Sequence, residues 1–410
     1  MSKNDLCHTF YDSFSHILKT LSLPENVPLV LAVSGGSDSM ALLYLMSQWS
    51  KSHDRTCHVV TIDHGLRLES ASEVLWVQKQ CEALEMHCER LTLDLNQNQK
   101  TSIQERAREA RFEALFDVCK RLGGAPLFLA HHADDQLETF VHRLVSGSGI
   151  DGLAGMSVKN NRLGIDIFRP LLSFKKKDLT LFLQERNLSW LEDPSNEKDV
   201  YTRVRIRKFL EEEGLSSDRF STVCKRIERA RTALDDIAQH QFDQFASVQF
   251  WGEITFDYQR WISQPTEIQL RLLEKMIRKI RKNDIEYMSL SGLEKIVYAP
   301  EQRHTLHGCL IDKKDNEISV VREPLKQVIT IIDNELFVWD ARFKILGGKG
   351  FYVRPYKEED ATWIKKQKDH YLDQVPSDYR LSTPIVCDEH GNIQASILLK
   401  QHETIEITSI

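Results

Sequence analysis

A doubly wound α/β domain with a mainly parallel sheet, followed by a helical unit and a small mixed α/β unit, is the fold class this chain predicts. Three observations lead to it. Four short apolar runs, Leu29 to Val33, His58 to Asp63, Glu89 to Leu95 and Pro126 to His131, alternate with longer helix-like segments, the βαβ rhythm of a parallel sheet. The runs lack strict polar alternation, as expected of strands covered by helices on both faces. Beyond about residue 215 the pattern turns into amphipathic stretches rich in Lys, Arg and Glu, Arg219 to Phe245 and Pro265 to Arg281, and β character returns at Thr305 to Val321 and Val328 to Trp339. The expected units are therefore 1–215, 216–330 and 331–410.

Bulk properties agree with this division. A chain of 410 residues exceeds one ordinary core, and two or three domains are expected. Apolar content of 41% and charged content of 28% are those of a globular protein, and no apolar stretch reaches membrane-span length. The polar start MSKNDLCHTFYDSF does not read as a signal peptide. Eight cysteines lie scattered with no CxxC pair, the usage of reduced thiols in a cytoplasmic protein. A net charge of −6 argues against indiscriminate nucleic-acid binding but leaves a local basic face open.

The first strand runs into the hexapeptide Ser34-Gly35-Gly36-Ser37-Asp38-Ser39, and the helix-like stretch Met40 to Trp49 follows. Gly35 and Gly36 permit positive φ and close approach to a phosphate, the three serines add hydroxyl donors, and the helix start adds free N–H groups. Asp38 beside phosphates would be repulsive unless a divalent cation lay between, which points to Mg²⁺ at Asp38. The Walker pattern GxxxxGK[ST] is absent from the chain. The hexapeptide instead resembles the pyrophosphate loop of the N-type ATP pyrophosphatases, which split ATP into AMP and pyrophosphate.

Later elements place more chemistry at the same edge. In open parallel sheets ligands sit beyond the carboxyl ends of the strands. The hexapeptide, Asp63-His64-Gly65 and the stretch His131 to Glu138 all fall there. The third helix is expected to begin at Ser102, with Glu105 closing a capping box, and to carry Arg106, Arg108 and Arg111. Asp135 and Glu138 stand three apart at a helix start, hence on one face, where either could hold an ammonium or accept its proton. Adjacent His131 and His132 on a strand point to opposite faces, which disfavours a zinc cluster and favours His131 as a phosphate or substrate donor. Gly147, Gly149, Gly152 and Gly155 read as a loop able to close, or as a plain irregular turn. Basic groups suited to an RNA backbone are Lys159 with Arg162, Lys175 to Lys177, Arg203 to Lys208 and Arg226 to Arg231. If Tyr201 to Phe209 is helical, Arg203 and Arg207 share a face and Arg205 does not.

Taken in order, SGGSDS at 34–39, IDHGLR at 62–67, Glu105 to Phe112, LAHHADDQLET at 129–139, SGSGIDGLAG at 146–155, RPLL at 169–172 and EDPSN at 192–196 resemble the tRNA(Ile)-lysidine synthetases, over roughly the first 210 residues. The resemblance implies that ATP adenylates O2 of the wobble cytidine in a CAU anticodon and that L-lysine then displaces AMP, changing codon reading and charging identity. It implies that Asp63 and His64 meet adenine and that Arg111, Asp135 and Glu138 surround lysine; Ser34 to Ser39 and His131 are expected to meet ATP, Asp38 to carry Mg²⁺, and Asp38, Asp135 and Glu138 to be catalytic. Arg203, Arg205 and Arg207 are expected to contact tRNA(Ile). A homodimer is left open, and no membrane partner is expected.

Two departures stand out: Arg203-Val204-Arg205 replaces the family's usual RNR run, and Tyr356 follows Val353-Arg354-Pro355 where a second arginine is common. A tRNA thiolase on the same scaffold, which commonly needs paired cysteines, and a binder with an inert nucleotide loop are the rival readings.

Overall fold

We describe the protein from a computed structural model of the full chain. The structure describes residues 3–63, 65, 70–93, 103–192, 217–282, 285, 288–324, 330–332, 336–340, 342–347, 349–367, 370–399 and 405–409. His64, Ser102, residues 193–196 and Arg203, Arg205 and Arg207 lie outside the described residues, as does the side chain of Glu105.

Contacts divide the chain into two units, Met1–Arg231 and Thr232–Ile410. The first opens with α1 (Lys3–Thr20), β1 (Leu29–Ala32), α2 (Ser37–Ser52), β2 (Cys57–Asp63), α3 (Ser70–Ala83), β3 (His87–Thr92), α4 (Ile103–Arg121) and β4 (Leu127–Phe128). It continues through α5 (Ala133–Val145), α6 (Ile150–Leu153), β5 (Lys159–Arg162), β6 (Ile165–Phe168), α7 (Lys176–Glu185) and α8 (Ser217–Phe245), the last running into the second unit. The sheet order is β3-β2-β1-β4-β6-β5. All neighbours are parallel except β5, which folds back on β6.

Successive residues of β1 and β4 feed opposite cores, which is why these strands read as unbroken apolar runs. Leu29, Leu31 and Phe128 join Phe14, Met40, Leu43 and Phe182 on one face. Val30 and Leu127 join Phe116, Cys119 and Ile167 on the other. Side chains of this size each contribute about 1.5–3 kcal/mol when fully buried, so a strand that kept one polar face would forfeit much of the stabilisation. The chain leaves β1 toward β2 on one side, yet β4 pairs on its other side. The connections after β1 and β4 therefore diverge, and a crevice opens at their carboxyl ends.

The β5–β6 hairpin was not anticipated from the sequence. Its two-residue turn, Leu163-Gly164, has φ of 52° and 81°, the left-handed pair of a type I′ turn, with leucine where asparagine is the usual signal. The glycine-rich segment 146–155 is a packed structure. Arg143 Nη1 donates to Gly152 O at 2.8 Å and Gly155 O at 2.9 Å, while the Gln136 amide exchanges two hydrogen bonds with the backbone of Met156, at 2.8 and 2.6 Å. At Gly155, with φ of 75°, an added Cβ would lie 2.7 Å from Gln136 Oε1.

In the second unit the expected helices are present, but they cover a five-stranded antiparallel sheet formed from residues 246–322. Leu272, Met276, Leu293 and Ile296 pack against Phe256, Ile311 and Val320. The short strands Ala246–Val248 and Ile254–Asp257 escaped the sequence reading because each spans only three or four residues. Residues 330–409 add a four-stranded and a three-stranded antiparallel sheet. There Arg354 forms a two-pronged pair with buried Asp360, both bonds at 2.7 Å, and Tyr356 is buried. The arginine of the Val-Arg-Pro run is thus occupied in holding the fold.

Candidate active site

The loop after β1 is braced by one hydroxyl. Ser39 Oγ accepts from the backbone N–H of Ser34 at 3.2 Å and of Gly35 at 3.1 Å, receives Ser34 Oγ at 3.3 Å, and donates to Gly36 O at 3.0 Å. Gly35 has φ of 92°, a conformation that calls for glycine, and an added Cβ would also lie 2.8 Å from Leu191 Cδ1, which would have to move. Leu191 N also donates to Gly35 O at 2.9 Å, tying the segment after α7 to the loop. Gly36 is extended and begins α2, whose first turn carries Asp38.

Facing this loop is the start of α5, delivered by the neighbouring strand β4. His132 is its N-cap: the ring Nδ1 accepts from the N–H of Asp134 at 3.2 Å and of Asp135 at 3.4 Å, while Asp135 Oδ2 accepts from His132 N at 3.0 Å. This is a capping box with histidine in the serine's place. With the Nδ1 lone pair so used, the ring proton sits on Nε2, 3.5 Å from Asp38 Oδ2 and 3.4 Å from Asp135 Oδ2. Burial opposes a charge on this ring, and Asp38, Asp135 and Asp134 favour one; the Nε2–H tautomer serves the cap and the carboxylates together.

Asp38 is the meeting point. Burial pushes its carboxyl up, but His132, Lys176 and a 3.2 Å hydrogen bond from Ser37 Oγ outweigh that and hold it below the ordinary carboxylate range. It is therefore an anion at neutral pH. Lys176 Nζ, from the first turn of α7, lies 3.8 Å from Asp38 Oδ2. Its own backbone N–H donates to Asp134 Oδ2 at 2.8 Å, and Ala133 N donates to Phe174 O at 2.8 Å, so α5 and α7 are pinned together beside the loop.

The other candidates fall into two groups. Glu138 lies one turn into α5 and is only 5% exposed, so the α5 face it shares with Asp135 is not a solvated one at that position. Asp63, ending β2, accepts from Gly65 N at 2.9 Å and from Ser70 Oγ at the start of α3. His131 diverges from His132 and faces arginines. Burial first, then Arg169, Arg108 and Arg111, push its imidazole down to about 3, and its buried Nδ1 has no hydrogen-bond partner among the described residues. It is a neutral group at physiological pH. Arg108, Arg111 and Arg162 gather round the Phe112 ring at 5.4, 5.8 and 5.3 Å from its centroid. Arg169 of the RPLL run donates to Ser157 O at 3.1 Å. Burial, Arg108 and Arg143 push Arg169 down to about 10.

The state of His131 has a measurable consequence. Its folded-state value lies below the imidazole's ordinary 6.5, so the unfolded chain takes up the proton more readily. The stabilisation is complete above that ordinary value and is lost as pH falls toward about 3, by up to about 1.4 kcal/mol per pH unit. Denaturant melts of His131→Asn between pH 7 and 5 are expected to show a flatter acid slope than the parent. Equal slopes would mean that His131 titrates normally.

Sequence reasoning singled out Asp38, Asp135 and Glu138, and the fold brings the loop, α5 and α7 to one edge. It passed over His132 as the histidine facing the loop, and it grouped Lys176 with RNA-binding lysines. The signal for His132 was its place immediately before a helix with Asp135 three residues on. Lys176 had no local signal, because its approach to Asp38 depends on how α7 packs against α2.

A glycine-serine loop at the switch point of a parallel sheet, with an ionised aspartate in the first turn of the next helix, defines an ATP-binding PP-loop protein. The sequence model of the PP-loop domain matches residues 7–213. At 35% identity over 353 residues, the chain is similar to a tRNA(Ile)-lysidine synthase of Wolbachia pipientis wMel, covering 83% of this chain and 82% of that one. The Rickettsia bellii (strain OSU 85-389) enzyme of the same name is 30% identical over 344 residues, covering 82% and 79%. The chain belongs to the tRNA(Ile)-lysidine synthase family, a family of ATP-dependent ligases. No helix among the described residues is long and apolar enough to cross a membrane.

Proposed function

We propose that the protein adenylates the wobble cytidine of tRNA(Ile) bearing a CAU anticodon and then replaces the adenylate with L-lysine, changing codon reading from AUG to AUA and charging identity from Met to Ile. The observation that carries this reading is the convergence of the PP-loop aspartate with the acidic start of α5, the two halves that a two-step reaction needs. In the first step cytidine O2 attacks the α-phosphorus, an O–P bond forms, and the bond to the bridging oxygen breaks as pyrophosphate leaves with the electron pair. Ser34 to Ser39 align that phosphate and stabilise the charge that leaves. In the second the lysine ε-amine forms a bond to C2 while the C2–O2 bond breaks, and AMP departs with the oxygen.

Mg²⁺ suits Asp38 by donor chemistry. Among the described residues no cluster of three or more acids, cysteines or histidines forms a ready cage, and Mg²⁺ ordinarily takes one or two carboxylates together with phosphate oxygens and water. When bound it would neutralise phosphate charge. Asp63 and His64 are assigned to the adenosine side of the nucleotide, and His131, being neutral, can donate one N–H without adding charge.

Lysine in solution, with a pKa of about 10.4, is a free amine in only about one molecule in 2,500 at pH 7, so a base must take its proton. We assign Glu138, buried in α5 on the face it shares with Asp135, as that base, with Asp135 helping to hold the ammonium and Arg111 the carboxylate. We assign tRNA contacts to Arg203, Arg205 and Arg207, and the three-part division at 215 and 330 to one catalytic and two RNA-positioning domains of a cytoplasmic enzyme. A homodimer is compatible with this scheme. Incubation of the protein with tRNA(Ile)(CAU), radiolabelled lysine and ATP is expected to move label into RNA with one AMP released per lysine. Tight RNA binding without AMP release, or sulfur incorporation, would replace this reading.

A further inference from the structure

We propose that Lys176 is the pyrophosphate-binding cation of this site, supplied from α7 in place of the lysine that a Walker loop carries within itself. The inference rests on ATP binding at the loop and adds a residue that neither the loop motif nor the proposed chemistry requires. Three observations lead to it. The hexapeptide holds no basic residue, yet the leaving pyrophosphate carries most of the charge in the first step. Beside the His132 ring, Lys176 places an ammonium at the loop aspartate, with Nζ 3.8 Å from Asp38 Oδ2. Lys175, Lys176 and Lys177 also stand at the beginning of α7, the end of a helix where the dipole disfavours cations, so helix stability does not account for them.

The surroundings fix where this cation can act. The Lys176 N–H donates to Asp134 Oδ2 at 2.8 Å, and α7 shares a core with α2 through Leu179, Phe182, Leu183, Met40 and Leu43. The backbone is thus anchored at the crevice while the side chain stays 45% exposed and free to change partner. Lys177, the next residue, is exposed and Lys175 half-buried, so the three lysines do not form one continuous phosphate-gripping face. With a nucleotide in the loop, the ammonium moves from Asp38 to the β- and γ-phosphate oxygens. As cytidine O2 bonds to the α-phosphorus and the bond to the bridging oxygen breaks, the electron pair arrives on a group already paired with Lys176.

The test uses the full chain and three probes: ATP, AMP and inorganic pyrophosphate, each titrated calorimetrically with Mg²⁺ into wild type, Lys176→Ala and Lys176→Arg. One charge-assisted hydrogen bond corresponds to about a ten- to hundred-fold change in affinity. Lys176→Ala is expected to lose that much for ATP and pyrophosphate and nothing for AMP, with Lys176→Arg recovering most of it. Equal losses for ATP and AMP, or ATP binding as tight as wild type, would overturn the assignment, as would a loss confined to tRNA. Wild type that fails to bind ATP would remove the nucleotide site itself, an outcome distinct from a silent Lys176→Ala. The melting temperature of each variant separates loss of a ligand contact from loss of fold.

Discussion

Asp38→Ala is expected to abolish AMP and pyrophosphate formation while leaving tRNA affinity within a few-fold of wild type. The carboxylate is the one acid in the loop, it is ionised at neutral pH, and it is met there by His132 at 3.5 Å and Lys176 at 3.8 Å. Removing it takes away the group assigned to Mg²⁺ and the carboxylate that Lys176 faces, while His132 keeps Asp135 at 3.4 Å. A preorganised electrostatic group of this kind is ordinarily worth about 10²–10³ in rate, and loss of the metal would add to that. The fold should survive, since a carboxylate in the first turn of a helix contributes only about 0.3–1 kcal/mol through the dipole. Filter binding of labelled tRNA alongside single-turnover adenylation checks both halves. A large loss of RNA affinity would contradict the assignment of Asp38 to nucleotide and metal.

Glu138→Gln is expected to separate the two chemical steps. Adenylated tRNA should form at the normal rate and accumulate, while lysine transfer falls by about 10²–10⁴, the range attributed to a positioned general base. The isosteric amide preserves the volume of a residue that is only 5% exposed, so lost packing would not explain the defect. Asp135→Asn is the companion variant. Its amide oxygen can still accept from His132 N, keeping the cap, while the charge is lost. If Asp135 only assists in holding the ammonium, this variant should raise the lysine concentration needed for half-maximal rate more than it lowers the maximal rate. Normal turnover of Glu138→Gln at low lysine would remove Glu138 from the pocket.

Much of the architecture was legible because it rests on periodicity. Strands β1, β2 and β4 are largely buried, so their apolar runs are continuous and stand out against the helices between them, whereas the edge strand β3 stays half-exposed. The hexapeptide was legible because positive φ at Gly35, hydroxyl donors and a helix start are all local properties. Non-local features were not legible. Strands β5 and β6 are four residues each and turn through Leu163-Gly164 without an Asn-Gly signal, and Ile254–Asp257 pairs on one side with the short Ala246–Val248 and on the other, across some sixty residues of chain, with Glu317 to Val320.

At the site, the same contrast holds between residues and pairings. Asp135 and Glu138 could be read from helical spacing, but the division between a capping carboxylate and a buried one follows from the turn that His132 closes. His131 attracted attention as a donor because it ends a strand. The arginines that keep it neutral come from α4 and from the end of β6, segments whose proximity no local pattern encodes. Lys176 is the clearest case, a residue whose own neighbours in sequence suggest a solvated or RNA-facing stretch and whose partner lies on another helix.

The central claim is that ATP is cleaved between its α- and β-phosphorus atoms with the adenylate passing to RNA. Incubating the protein with α-³²P-labelled ATP, Mg²⁺ and tRNA(Ile)(CAU), with lysine withheld, tests it most directly. Label covalently attached to the tRNA, stoichiometric pyrophosphate, and release of that label as AMP once lysine is added are the expected results. Formation of ADP, or AMP appearing with no label ever reaching the RNA, would contradict it.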